Sequence, residues 1–66
     1  MDMKNYLKSS SIEDRQKLAE ESGTTVAYFW QIAGGHRKPG AMMCRVIEKK
    51  SKGKIKAKDL RPDYFK

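Results

Sequence analysis

Cysteine and histidine are almost absent from this 66-residue sequence, and their scarcity excludes two common ways of stabilising a small domain. With a single cysteine, Cys44, the chain cannot form an internal disulfide. The chain also has a single histidine, His36, and one histidine with one cysteine cannot supply the four ligands of a structural zinc site. We therefore expect a fold held together by packing alone. A chain of this length buries only about 60% of the surface that it exposes when unfolded, so its core must be thin.

Long apolar runs are also lacking. The longest run is Val26 to Trp30, five residues, whereas a membrane-spanning helix needs about 20. The first residues do not have the charged-then-apolar pattern of a signal peptide, so we expect a cytoplasmic protein with no membrane partner. The short chain and a lone His36 after two glycines also argue against a catalytic pocket. The sequence thus predicts a protein that is not an enzyme and that binds no cofactor, metal or small-molecule substrate.

Acidic side chains are missing from the middle of the chain, since neither Asp nor Glu occurs between Thr24 and Ile47. The formal net charge is +7 and is unevenly distributed. Residues 1–35 carry four basic and five acidic side chains, whereas residues 36–66 carry eleven basic and three acidic ones. Such a concentration of positive charge favours a polyanion partner, because neutralised phosphates release bound counterions. A lysine-rich surface that is merely solvated is the alternative.

The spacing of apolar residues predicts an all-α fold and no sheet. We expect a single compact domain over residues 1–66, with residues 1–2 and 63–66 disordered. Four or five short helices are predicted, spanning Met3–Ser9, Ile12–Ser22, Val26–Ala33, Ala41–Lys50 and, as one turn, Ala57–Leu60.

The second and third helices are predicted to form a helix-turn-helix over about residues 12–33. Ser10 and Glu13 have the spacing of a capping box that would begin the second helix. Gly23 ends that helix and Thr25 is a good cap for the next, so only a short glycine-containing turn separates the two. The inner face of the second helix is predicted to contain Ile12, Arg15, Leu18 and Ala19.

The third helix has an unusual predicted exposed side. A rotation of 100° per residue places Thr25, Val26, Ile32 and Ala33 with Phe29 on the buried side. Ala27 and Gln31 lie opposite, flanked by Tyr28 and Trp30. A glutamine can bond both edge atoms of adenine, and small apolar groups can contact the thymine methyl. Alternatively, Trp30 and Tyr28 belong to the core edge and Gln31 is an ordinary solvated side chain.

Two segments together resemble a known family of DNA-binding domains. The sequence from Gln16 to Thr25, continued by Phe29, Gln31, Ile32 and the segment from Gly35 to Pro39, resembles the lambda-repressor-like helix-turn-helix. The ending from Asp59 to Asp63 resembles that of small phage Cro-type regulators and YdaS-like antitoxins. The resemblance covers residues 3–63.

This resemblance implies a repressor that binds double-stranded operator DNA, with the third helix in the major groove, and regulates phage or prophage transcription in a bacterial cell. It implies a homodimer, at least on DNA. Base contacts are expected from Thr25, Val26, Ala27, Tyr28 and Gln31. Backbone contacts are expected from Gln16, Lys17, Trp30, His36, Arg37 and Lys38.

Several expectations remain open at this point. The dimer would form through the tail residues Ile55, Leu60, Tyr64 and Phe65 or through the outer side of the fourth helix. Lys56 stands where a Thr or Ser cap is usual, which predicts a frayed last turn. An antitoxin-like or anti-repressor protein with a protein partner, and an RNA-binding protein, are the alternative functions.

Overall fold

A computed structural model describes residues 1–65, which form five helices and no strand. The predicted all-α class is confirmed. The helices are α1 Met3–Ser9, α2 Ile12–Glu21, α3 Val26–Ala33, α4 Ala41–Lys50 and α5 Ala57–Leu60. Four of the five have the predicted bounds, and α2 ends one residue earlier than expected. Lys66, part of the end segment expected to be disordered, lies outside the described residues.

The start of α2 differs from the prediction in its cap. The Oγ of Ser11, not Ser10, accepts a hydrogen bond from the backbone N–H of Asp14 at 3.1 Å. Ser10 is already used at the end of α1, where its N–H donates to the carbonyl of Tyr6 at 3.0 Å. Of the two consecutive serines, Ser10 therefore ends α1 and Ser11 begins α2.

The turn between α2 and α3 is short and follows the predicted chemistry. Gly23 has a φ of 75°, a left-handed conformation that glycine adopts without a steric penalty. The hydroxyl of Thr25 accepts from the N–H of Tyr28 at 3.2 Å and so caps α3, as predicted.

Two carboxylates stabilise α5 in place of the missing hydroxyl cap. Asp59 accepts a hydrogen bond from the backbone N–H of Lys56 at 3.1 Å. Glu48, on α4, accepts from the N–H of Ala57 at 2.6 Å. Because negative groups are favourable at a helix N-terminus, the turn predicted to fray is formed and is joined to α4.

The core lies where α1 packs on α3, α2 on α3 and α4, and α4 on α5. Its largest fully buried apolar side chains are Phe29, Leu7, Ile47 and Ile55. They are joined by Met3, Tyr6, Leu18 and Ala19. Phe29 comes from the middle of α3, so this one side chain fixes which side of that helix faces inward.

Two apolar residues lie where the sequence interpretation did not place them. Ile12, expected on the inner face of α2, is 66% exposed. It precedes Ala19 by seven residues, about 10 Å along the helix axis, so it has the right rotational phase but lies beyond the packed part of α2. Ile55, offered as part of a dimer surface, is fully buried in the core and cannot contribute to one.

Candidate nucleic-acid interface

The two sides of α3 are divided as the sequence predicted, except that Thr25, placed on the buried side, is exposed. Thr25 is the cap of α3 with an extended backbone, so the 100° helical repeat does not apply to it. Phe29 is fully buried, and Ile32 and Ala33 are half-buried against the core. Ala27 and Gln31, one turn apart, are both exposed. The outer side of α3 therefore presents a methyl group and a primary amide to solvent.

Three further residues predicted to contact bases border this outer side. Thr25 is exposed, and because its hydroxyl oxygen accepts from Tyr28, its own O–H is left to donate outward. Val26 and Tyr28 are half-buried and pack against the core cluster. Only part of each of those two side chains is thus available to a partner.

Trp30 is a surface residue rather than a core residue, with 43% of it exposed. The guanidinium carbon of Arg15 lies 5.9 Å from the centre of its ring, a cation–π contact between α2 and α3. Arg15 also donates from Nη2 to the carbonyl of Ser10 at 3.0 Å. Sequence reasoning assigned Arg15 to the inner face of α2 but missed this role, which no short-range pattern encodes because Trp30 is fifteen positions away.

The basic loop after α3 is attached to that helix through its backbone. His36, Arg37 and Lys38 are all exposed. The N–H groups of His36 and Arg37 donate to the carbonyl of Gln31 at 2.9 and 3.3 Å. Gln31 therefore exposes its side chain on the outer side of α3 and holds the loop with its backbone carbonyl. The two predicted contact regions consequently lie next to each other.

Gln16 and Lys17 are exposed on α2, but Lys17 belongs to a different part of the surface. It lines a groove with Tyr6 of α1, Asp14 of α2 and Lys50 of α4. The structure thus groups Lys17 with the lysines at the end of α4 and not with the loop after α3.

No acidic side chain belongs to α3 or to the loop that follows it. The exposed acids of the first half are Asp2, which caps α1, and those at 13, 14, 20 and 21 on α2. In the second half each carboxylate accepts hydrogen bonds: Glu48 as described above, Asp59 from the N-terminal amine at 3.0 Å as well as from Lys56, and Asp63 from Arg61. The Arg61 hydrogen bonds hold the pKa of Asp63 at about 2.

No group of three or more His, Cys, Asp or Glu side chains that could hold a metal ion occurs among residues 1–65. Within the same residues, no helix is long and apolar enough to cross a membrane. Burial raises the pKa of the Cys44 thiol, which keeps it protonated at neutral pH.

These features define a small all-α domain that presents an acid-free helix face beside a basic loop. Over 63 residues the chain is 32% identical to a protein of Escherichia coli (strain K12) described as "Prophage transcriptional regulatory protein", and the match covers 96% of each chain. The chain belongs to the family of that protein. No protein-family model matches the chain.

Proposed function

We propose that this protein is a transcriptional regulator, a Cro-like repressor, that binds double-stranded DNA with α3 in the major groove. The observation that carries this proposal is the position of Gln31, exposed on the acid-free side of α3 while its backbone carbonyl holds the basic loop. A base-reading group and phosphate-binding groups then reach the same stretch of DNA. The description of the related prophage protein supports a role in transcription.

Base recognition would depend mainly on Gln31. Its amide can donate to and accept from adenine in a bidentate pair. Ala27, one turn earlier on the same side, suits contact with a thymine methyl group. The exposed parts of Thr25, Val26 and Tyr28 would border the groove. Because only one of these side chains pairs in a bidentate way, a single copy would read few bases.

Backbone contacts would position α3 without reading sequence. Arg37 and Lys38 are exposed next to the end of α3 and suit phosphates on one side of the groove, with His36 beside them. Gln16 and Trp30 would contact the backbone from the α2 side. Lys17 lies in the groove next to Lys50, so any contact it makes would fall on a more distant phosphate.

A homodimer would supply the specificity that one copy lacks. Half-sites of a two-fold operator would then lie about 10–10.5 base pairs apart, one helical turn. The outer side of α4 with the tail is the candidate surface for pairing, since Met42 is 80% and Tyr64 62% exposed. Phe65 lies beside it, with the Arg45 guanidinium 5.7 Å from its ring centre.

Selection of a randomised duplex pool on the purified protein tests this function. At near-physiological salt, we expect an enriched two-fold sequence with a fixed half-site spacing. A parallel selection with Gln31→Ala should relax the preference at one position of each half-site. Lys38→Ala should weaken binding to every duplex sequence. Lys8→Ala, which removes the same charge from α1, should have little effect on binding. A pool that shows no enrichment would contradict sequence-specific binding.

A regulator that acts mainly on a protein, antitoxin-like or anti-repressor, is the second candidate. This candidate is favoured by two exposed apolar side chains that lie near Arg15. Trp30 stacks on Arg15, and Ile12, one turn before Arg15 on α2, is 66% exposed. Trp30→Ala should then abolish binding to the partner protein, and that binding should depend little on salt. Preferential retention of single strands over duplexes would instead indicate an RNA-binding role, because unpaired bases stack on aromatic rings.

A further inference from the structure

We propose that Arg61 is a positioning residue for DNA binding, acting by holding the carbonyl of Pro39 and thereby fixing the basic loop. The inference rests on the proposed function, in which Arg37 and Lys38 of that loop contact the DNA backbone. It assigns a role to the C-terminal segment after α5, which the recognition surface itself does not include.

The guanidinium of Arg61 joins two segments that are 22 positions apart. Its Nη1 donates to the carbonyl oxygen of Pro39 at 3.0 Å. Its Nε and Nη2 donate to the two carboxylate oxygens of Asp63 at 3.0 and 2.9 Å. The planar guanidinium matches the carboxylate with one edge and reaches the loop with another, a geometry that lysine cannot reproduce.

Arg61 is poorly placed to bind phosphate itself. Its side chain is only 18% exposed, and all three of its nitrogens already donate. The ring of Tyr64 covers it further, with its centre 5.0 Å from the guanidinium carbon. This positive charge therefore acts inside the protein, unlike the exposed charges of Arg37 and Lys38.

Pro39 is a fixed point directly after the basic side chains. Its ring is fully buried. Its carbonyl also accepts a weak hydrogen bond from the Sγ of Cys44 at 3.7 Å. The next residue, Gly40, begins α4 by accepting from the N–H of Cys44 at 3.0 Å. Arg61 thus binds the loop at the residue before the cap of α4.

The other end of the loop is anchored at Gln31, so the basic side chains lie between two attachments. His36 and Arg37 donate to the Gln31 carbonyl, and Pro39 accepts from Arg61. A loop that is ordered before binding loses less conformational entropy when it meets DNA. Release of the Pro39 end should therefore weaken the backbone contacts without changing which bases are preferred.

Asp63 completes the arrangement from the exposed side of the protein. Hydrogen bonds from Arg61 are the main reason for the low pKa of Asp63, and the nearby charge of Lys38 lowers that pKa as well. The carboxylate consequently holds Arg61 in orientation and lies within the field of a loop lysine. Asp63→Asn should loosen Arg61 while leaving its positive charge in place.

The test uses Arg61→Lys and Asp63→Asn, with Lys8→Arg as the control. Lys8→Arg exchanges the same two basic side chains at an exposed position of α1, away from the loop and from the candidate pairing surface. Duplex affinity is measured against salt concentration, and amide hydrogen exchange is followed by NMR at His36 and Arg37. Circular dichroism checks that each variant remains folded, and Asp63→Asn is the milder change should Arg61→Lys unfold.

For Arg61→Lys we expect binding to weaken about three- to tenfold on every duplex, since one phosphate contact accounts for nearly tenfold at about 0.1 M salt. The slope of log affinity against log salt should fall by up to about 0.9, and His36 and Arg37 should exchange faster. The loss should shrink when Lys38→Ala is already present, because coupled residues are not additive. Lys8→Arg should leave all of these unchanged.

Three results would overturn the proposal, and the third would also overturn part of the proposed function. If Arg61→Lys binds DNA like the original protein while Lys38→Ala weakens binding, the loop contacts DNA but Arg61 does not position it. An undiminished Arg61→Lys effect in the Lys38→Ala background would lead to the same conclusion. If Arg37→Ala and Lys38→Ala leave affinity and salt slope unchanged, the backbone contacts of the proposed function are themselves wrong, and the role of Arg61 falls with them.

Discussion

Replacement of Phe29 by alanine tests whether one buried ring holds α3 in its orientation. The ring is fully buried at the centre of the core, so truncation removes its apolar contacts and leaves a cavity. Changes of this kind cost about 3–5 kcal/mol. A domain of this size is stable by roughly 3–10 kcal/mol, at about 0.05–0.15 kcal/mol per residue. We therefore expect a variant close to the limit of folding at room temperature.

The assay is urea and thermal unfolding followed by circular dichroism. A loss of about 3 kcal/mol should lower the melting temperature by roughly 12 °C or more in a domain this small. Ile12→Ala is the control, because it removes an aliphatic side chain that is 66% exposed and should cost no more than about 0.5 kcal/mol. If Phe29→Ala unfolds, Phe29→Leu, which keeps much of the apolar volume, should fall between the two. Equal melting of Phe29→Ala and Ile12→Ala would refute the assignment of the buried side of α3.

Three further outcomes are expected. Gln31→Ala should reduce the binding free energy by about 1–3 kcal/mol on the preferred duplex and little on others, whereas Gln16→Ala should weaken binding to all duplexes alike. Fluorescence anisotropy with matched and mismatched sites distinguishes the two patterns. Arg37→Ala and Lys38→Ala should each reduce the salt slope by about 0.9, and an unchanged slope would remove that residue from the interface. The pKa of Asp63 is lowered from 3.8 to about 2, so its stabilising effect should be complete above about pH 5 and lost as pH falls towards 2. In Asp63→Asn, the unfolding free energy measured by denaturation should fall less between about pH 5 and pH 2 than in the original protein. An equal fall would show that the Arg61–Asp63 pair contributes nothing to stability.

The helices were predictable because each had local signals. Thr25 before an apolar run and Gly23 before Thr25 determine the start of α3 through capping and backbone freedom alone. The division of α3 into a side with Phe29 and a side with Gln31 follows from the helical repeat. These effects act over a few residues, so a single sequence contains the information needed.

The errors and omissions have physical causes. Ser10 and Ser11 both match a cap pattern, and only the end of α1 determines which serine is free to start α2. The helical repeat gives the direction of Ile12 but not how far along α2 the packing extends.

The contacts of Arg15 with Trp30 and of Arg61 with Pro39 join positions far apart in sequence. No periodicity or short motif carries such pairings. The predicted contact residues themselves remain predictions until binding is measured.

The hydrogen-bonded carboxylates of the basic half have a consequence for the speed of association. Glu48, Asp59 and Asp63 each have a partner within the protein, while nine lysines and arginines among residues 36–65 are exposed. Their summed field extends about 10 Å into a solution of 0.1 M salt and further at lower salt. A polyanion should therefore be attracted before any contact forms, with an association rate constant that falls steeply as ionic strength rises while the dissociation rate constant changes less.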